Sequence, residues 1–85
     1  MRLSDLTTLR NIGSSMEKRL NAVGISTAEQ LRSMGSKEAF VKLKAHDPSV
    51  CVVFLYTLEG AVSDVDYNHL PEDVKQDLIA FSRGL

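Results

Sequence analysis

The sequence predicts an all-α domain, a small bundle of about five to six short helices around a buried central one. Three observations lead there. Apolar residues recur at helical spacing along most of the chain, and no run has a partner strand to pair with. The stretch Leu9-Arg10-Asn11-Ile12-Gly13-Ser14 returns 22 residues later as Leu31-Arg32-Ser33-Met34-Gly35-Ser36. Each copy reads as the end of one helix, a glycine turn, and a serine that opens the next helix. Finally, the run Val50 to Leu58 is apolar at nearly every position, the pattern of a helix covered on all sides.

The elements follow in order. Ser4-Asp5 offers a cap for a short first helix that carries Leu6 and Leu9 and ends near Arg10. Ser14 opens a second helix, with Met16, Leu20 and Val23 on one stripe and Gly24 just past its end. Ser26 with Glu29, and Thr27 with Gln30, both fit a capping box for a third helix that buries Leu31 and Met34 and closes at Gly35. Ser36 then caps a fourth helix, which buries Phe40 and Leu43. Asp47-Pro48 reads as a cap and first helical residue for the fifth, from about Ser49 to Val62. After a polar turn at 63–68, Pro71 with Glu72 and Asp73 starts a last helix striped by Val74, Leu78 and Phe81, with Gly84 past its end.

Composition bounds the function. Eighty-five residues with 44% apolar content make one domain, 1–85, with a modest core. The single cysteine, Cys51, forms no internal disulfide and suits a reducing cytoplasm. No signal segment is visible at Met1-Arg2-Leu3, and the longest apolar run is too short to span a bilayer. The expectation is a cytoplasmic protein with no membrane partner. Net charge is −1, but residues 1–44 carry eight bases and four acids (+4) and residues 45–85 two bases and seven acids (−5). The basic half holds the glycine turns, as a polyanion-facing surface requires; the plainer reading is a charge pattern that lets copies associate.

The first turn, Leu6-x-x-Leu9-Arg10-Asn11-Ile12-Gly13-x-x-x-Glu17-x-x-Leu20, resembles the helix-hairpin-helix motif. The resemblance implies DNA phosphates held by backbone N–H groups of the turn, with nearby Lys or Arg. Glycine admits close approach, and the following helix dipole favours an anion. Asn11 stands where the first glycine belongs and shares its tolerance of the left-handed conformation. Glu17 stands where a small residue is usual. The second copy has Ser33, Gly35 and Ala39 at the corresponding positions, and Lys42 in place of leucine.

Across residues 3 to 80 the chain resembles the C-terminal domain of the TfoX family of competence regulators. The resemblance rests on Leu-x-Asn-Ile-Gly at 9–13, Leu-x-x-Val-Gly-Ile-x-Thr at 20–27, Leu-x-x-Met-Gly at 31–35, and Cys51 with Leu55-Tyr56-x-Leu58-Glu59-Gly60-Ala61. It implies a tandem helix-hairpin-helix-like (SAM-like) fold. In two-domain members this domain follows an N-terminal domain, and the protein helps activate transcription of DNA-uptake genes. The implied partners are DNA, held weakly through backbone contacts, or a protein such as a TfoX N-terminal-like domain or a transcription factor. A homodimer is a further expectation.

The candidate nucleic-acid-binding residues are Arg10, Asn11, Ile12, Gly13, Ser14, Ser15 and Lys18 in the first hairpin and Gly35, Ser36 and Lys37 in the second, with Arg19 flanking the first turn. Lys42 and Lys44 read as solvent-facing. Cys51 reads as a buried structural thiol. His46 and His69 lack metal-ligand spacing, and Asp64 with Asp66 read as a solvated turn. Tyr56 and Tyr67 read as packing residues. No nucleophile–base pairing, phosphate loop or metal cluster appears, so neither catalysis nor a cofactor is expected. The main expectation is a regulatory binding module that contacts DNA phosphates or a DNA-bound partner. The alternative is a protein–protein or dimerisation module with no nucleic-acid contact.

Overall fold

A computed structural model describes residues 5–84, in five α-helices and two single 3-10 turns with no strand among them. The Ser4 half of the expected first cap lies outside the described residues. The first element is shorter than its apolar spacing suggests. Leu6–Thr8 form one 3-10 turn, after which Leu9 is extended and Asn11 takes a left-handed φ of 73°. Asp5 does not cap this turn by its side chain. Its carboxylate reaches across the fold and accepts the Ala28 N–H at 2.6 Å, fixing the first turn against the start of α2.

Helix α1 spans Ser14–Ala22. Its end is a Schellman motif: Gly24, at φ 87°, donates to the Asn21 carbonyl and Ile25 to the Leu20 carbonyl, while the Leu20 and Ile25 side chains are fully buried. Helix α2 spans Ala28–Met34, and of the two possible capping boxes Thr27 with Gln30 is the one formed. Gln30 Oε1 accepts the Ser26 and Thr27 N–H groups together with the Ser26 hydroxyl, so the alternative cap residue serves as a further donor. Gly35 alone joins α2 to α3 (Ser36–His46), at φ 88° and ψ 162°, a conformation that favours glycine.

Two expected caps are replaced. Ser36 is the first residue of α3 and not its cap; its hydroxyl donates instead to Glu59 Oε1 at 2.5 Å. Asp47-Pro48 does not start the next helix. The Asp47 carboxylate accepts the Ser49 N–H and hydroxyl at 3.1 and 2.6 Å, closing a turn of its own. The chain runs on through extended Cys51, and α4 begins three residues later than expected, at Val52–Ser63. Lys44, expected in solvent, bridges this turn by donating to the Pro48 and Val50 carbonyls, both at 2.9 Å. A second 3-10 turn, Tyr67–His69, leads through Pro71 into α5, Glu72–Arg83.

Helix α4 is the central element, packed against α3, α5 and the second 3-10 turn. It buries Leu55, Leu58, Gly60 and Ala61 against a core that includes Leu6, Leu20, Ile25, Leu31, Phe40, Leu43 and Leu78. The apolar run is covered on that face only. Val53 is 44% exposed, and Cys51, expected buried, is exposed at the helix entry. The late start of α4 accounts for Cys51, which precedes the first helical turn and misses the core.

Gly60 is the tightest point of the packing. A Cβ there would lie well inside contact distance of Asn11 Nδ2 and the Val65 carbonyl, and 3.3 Å from the Tyr67 nitrogen. The Asn11 amide fills this corner, donating to the Val65 carbonyl at 3.0 Å and accepting the Tyr67 N–H at 3.4 Å. Gly→Ala inside a helix ordinarily stabilises by about 1 kcal/mol. Here the overlap with backbone prevails, and Gly60→Ala is expected to cost ~1–3 kcal/mol, read by urea denaturation. Asn11→Gly keeps the left-handed φ, and combined with Gly60→Ala it is expected to cost less than the sum of the two single changes.

Candidate nucleic-acid interface

The two glycine turns have different surroundings. In the first, Gly13, Ser14 and Ser15 are exposed and no side chain caps α1. The first bond into the helix is Glu17 N–H to the Gly13 carbonyl at 2.9 Å, so the N–H groups of Ser14, Ser15 and Met16 precede any intrahelical acceptor. Lys18 is exposed and forms no ion pair among the described residues. Ile12 is buried, plugging the turn from within. Asn11 is half-buried, its amide directed inward to residues 65 and 67. The structure thus leaves Gly13, Ser14 and Ser15 exposed, with Lys18 exposed one helical turn beyond Ser14, and keeps Asn11 and Ile12 as support.

The second turn faces inward. Ser36 is buried on Glu59. Lys37 pairs with Asp77 at 2.7 Å and lies 5.4 Å from the Phe81 ring centre. Gly35, Ser36 and Lys37 line a cleft shared with Glu38, Glu59, Asp73 and Asp77. Four carboxylates against one ammonium make this end of α3 a poor seat for a phosphate.

Gly13 differs from the other turn glycines in one informative way. Its φ is −100°, open to any residue, and a Cβ there would meet nothing within 4 Å. The fold has no internal use for a glycine at 13, whereas Gly35 is needed for its positive φ and Gly60 for the close approach of Asn11 and Val65. A glycine without an internal role suits a surface that another molecule approaches closely.

The charge asymmetry between the halves of the chain is used internally. Arg10 Nε lies 3.4 Å from Asp64, Arg19 Nη1 3.0 Å from Asp47, and Lys37 Nζ 2.7 Å from Asp77. Each pair joins a base of the first half to an acid of the second. The Arg10–Asp64 pair is open to solvent, with the Asp64 side chain 84% exposed, and is worth at most about 1 kcal/mol. An incoming anion can displace Asp64 from Arg10 at small cost. Arg19 is held more firmly, since its guanidinium also lies 5.0 Å from the Phe54 ring centre.

The Asp47 carboxylate sits among three donors. The Ser49 hydroxyl and N–H, and then the Arg19 guanidinium, hold its carboxyl below the ordinary range. A depressed native value means that its contribution to stability is present above the unfolded-state value and fades as pH falls through the native one. Asp47 is expected to show an NMR titration midpoint below the ordinary ~3.9, and Ser49→Ala should move it upward.

No group of three or more His, Cys, Asp and Glu side chains among the described residues is arranged to hold a metal ion, and no described helix is long and apolar enough to cross a membrane. The model of the TfoX C-terminal domain matches residues 2–81. The chain is 31% identical over 80 residues to Protein Sxy of Escherichia coli (strain K12), an alignment covering 94% of this chain and 38% of Sxy. It therefore spans well under half the length of that relative. Two crystal structures from Listeria monocytogenes, one of an uncharacterised protein in a triclinic form and one of a protein of unknown function in a tetragonal form, superpose with a TM-score of 0.90 each. The triclinic form is 42% identical, over 93% of this chain and 90% of its own. The tetragonal form is 41% identical, over 94% and 98%.

The difference between the turns is testable. Ser36→Ala removes a donor from half-buried Glu59 and is expected to lower stability by about 1–3 kcal/mol. Gly13→Ala is expected to change stability by under ~0.5 kcal/mol. Thermal unfolding of the two variants side by side checks both.

Proposed function

Because the chain belongs to the TfoX C-terminal domain family, we propose that it is a non-enzymatic regulatory module that contacts the phosphate backbone of DNA, or of a DNA-bound complex, through its first glycine turn. The observation that carries this reading is Gly13, exposed, sterically unconstrained and placed at the uncapped start of α1. The N–H groups of Ser14 and Ser15 supply donors for a phosphate oxygen, and the helix dipole adds favourable potential. Lys18, one turn on, supplies a mobile positive charge. Arg10 joins once Asp64 gives way. Asn11 and Ile12 act from behind, holding the turn in shape. The role that fits is regulation of transcription in competence, exercised in the cytoplasm.

With one turn and two bases the contact is small. Binding is expected to be weak, insensitive to sequence, and lowered about tenfold between ~50 and ~200 mM salt, since about two neutralised phosphates release their counterions. The test is fluorescence anisotropy with a short duplex and a single strand at low and physiological salt. Saturable binding that weakens with salt is expected. Gly13→Ala should weaken it without unfolding the protein, and Arg10→Glu with Lys18→Glu should abolish it. Asp64→Asn should tighten it by up to about threefold, because the competing carboxylate is removed. Absence of binding to either probe at low salt overturns the reading.

A second reading, contact with protein and not nucleic acid, is favoured by the exposed apolar side of α4. Val53 and Tyr67 are the large hydrophobic residues exposed there, beside Phe54, Met16 and Thr57 in a groove of about 350 Å³.

A further inference from the structure

The outer side of α4 lacks the charge that solvated helices carry. Val52, Val53, Tyr56 and Thr57 face outward or sideways, and the sole ionisable carboxylate or base of the helix, Glu59, is bound by Ser36 and Ser63. A helix face of this composition is normally covered. Two exposed apolar groups, Val53 and Tyr67, flank a centre. Thr57 lies at the middle of the 12-residue helix, which is about 18 Å long. Val53 is one turn before Thr57. Tyr67 stands at the level of Gly60, just under one turn after it, since its nitrogen abuts Gly60.

The ends of α4 carry opposite charge. Around Val50, two residues before its start, are Lys18, Arg19, Lys44 and His46, against Asp47. At its end are Asp64 and Asp66, against Arg10. The start is net positive and the end net negative. The whole chain carries only −1, so two copies meet with little mutual repulsion.

We infer that a second copy of this chain docks on the outer side of α4, with the two α4 helices antiparallel about a two-fold axis near Thr57. Val53 of each copy then meets Tyr67 of the other, and the acidic end of each helix faces the basic start of its partner. A two-fold interface must be self-complementary, and this layout is so in both apolar and charged groups. An antiparallel pair also places helix dipoles head to tail. A stable dimer buries about 800 Å² on each partner, close to a sixth of the chain's 5072 Å² surface. Two exposed apolar side chains on each copy make a small interface, and the dimer is therefore a reversible one. The inference deepens the protein-contact reading; Gly13 and Ser15 line the same groove as Val53 and Tyr67, so the dimer covers the first turn, and the two readings are separated because association is tested with no nucleic acid present.

The experiment is sedimentation velocity over a concentration series from micromolar to millimolar. A reversible monomer–dimer equilibrium is expected, and a monomer at every concentration overturns the inference. Val53→Glu is expected to weaken association at least about tenfold while its thermal unfolding stays near that of the parent. Asp64→Asn keeps the left-handed corner and should weaken association by up to about fivefold at low salt, the opposite of its expected effect on DNA binding. Unchanged association in Val53→Glu overturns the proposed face. Orientation is read by oxidation. Thr57→Cys in a Cys51→Ser background should cross-link quickly through the axis, and Cys51 in the parent slowly, since an antiparallel pair holds the two Cys51 thiols at opposite ends. The reverse order overturns the antiparallel arrangement.

Discussion

Two adjacent residues of α4, Glu59 and Gly60, hold both glycine turns. Glu59 accepts the Ser36 hydroxyl at the head of α3 and the Ser63 hydroxyl one turn along its own helix. Gly60 leaves the space that the Asn11 amide and the Val65 carbonyl occupy. The first turn is pressed against α4 through the absent side chain of one residue, the second through the charged side chain of its neighbour. Because α4 is one rigid rod, these contacts set the two turns relative to each other. Asn11 carries the constraint one step further: by bonding residues 65 and 67 it also sets the course of the loop that bears Asp64, Asp66 and Tyr67.

This arrangement gives a physical reason for the features that make the chain resemble its family. Asn-Ile-Gly at 11–13, Met-Gly at 34–35 and Glu-Gly-Ala at 59–61 lie far apart in sequence and meet at one junction. Asn11 and Gly60 are two halves of a single contact. Gly35 permits a one-residue link between α2 and α3, which brings Ser36 to Glu59. Most of the resemblance is thus spent on assembling the scaffold. Gly13 is the member of the set that the scaffold does not use, and it is for that reason the better guide to function.

Much of the fold was legible because it depends on local chemistry. The Schellman end at Gly24, the capping box at Thr27 and the break at Gly35 each involve residues within a few positions of one another. What was not legible depends on partners distant in sequence. Ser36 has the chemistry of a helix cap, and only the placement of Glu59 draws its hydroxyl away. Asp47-Pro48 has the form of a helix start, yet Ser49, Arg19 and Lys44 together stabilise a separate turn and push α4 back to Val52. Cys51 looked buried because it opens an apolar run, and that shift of register left it outside the core. Asp5 offered no sign at all that its carboxylate would cap α2. In the candidate site, the turn 11–15 was legible as a motif, while the division that sends the Asn11 amide inward and leaves Gly13, Ser14 and Ser15 outside was not. That division requires knowing what lies behind Asn11.

The charge pattern shows how composition can mislead in a small domain. A basic half and an acidic half look like a polyanion-binding face joined to a counterweight. In the folded chain the halves are intertwined, and three cross pairs neutralise bases near both turns. Those pairs are not equivalent. Lys37 and Arg19 are each held by a carboxylate and an aromatic ring, so withdrawing them sacrifices two interactions. Arg10 is held by one exposed carboxylate at 3.4 Å, and Lys18 by none among the described residues. The two bases that are cheapest to redirect are therefore those beside Gly13, the turn that stays open. Freely available positive charge, and not total positive charge, is what favours the first glycine turn over the second as the proposed anion contact.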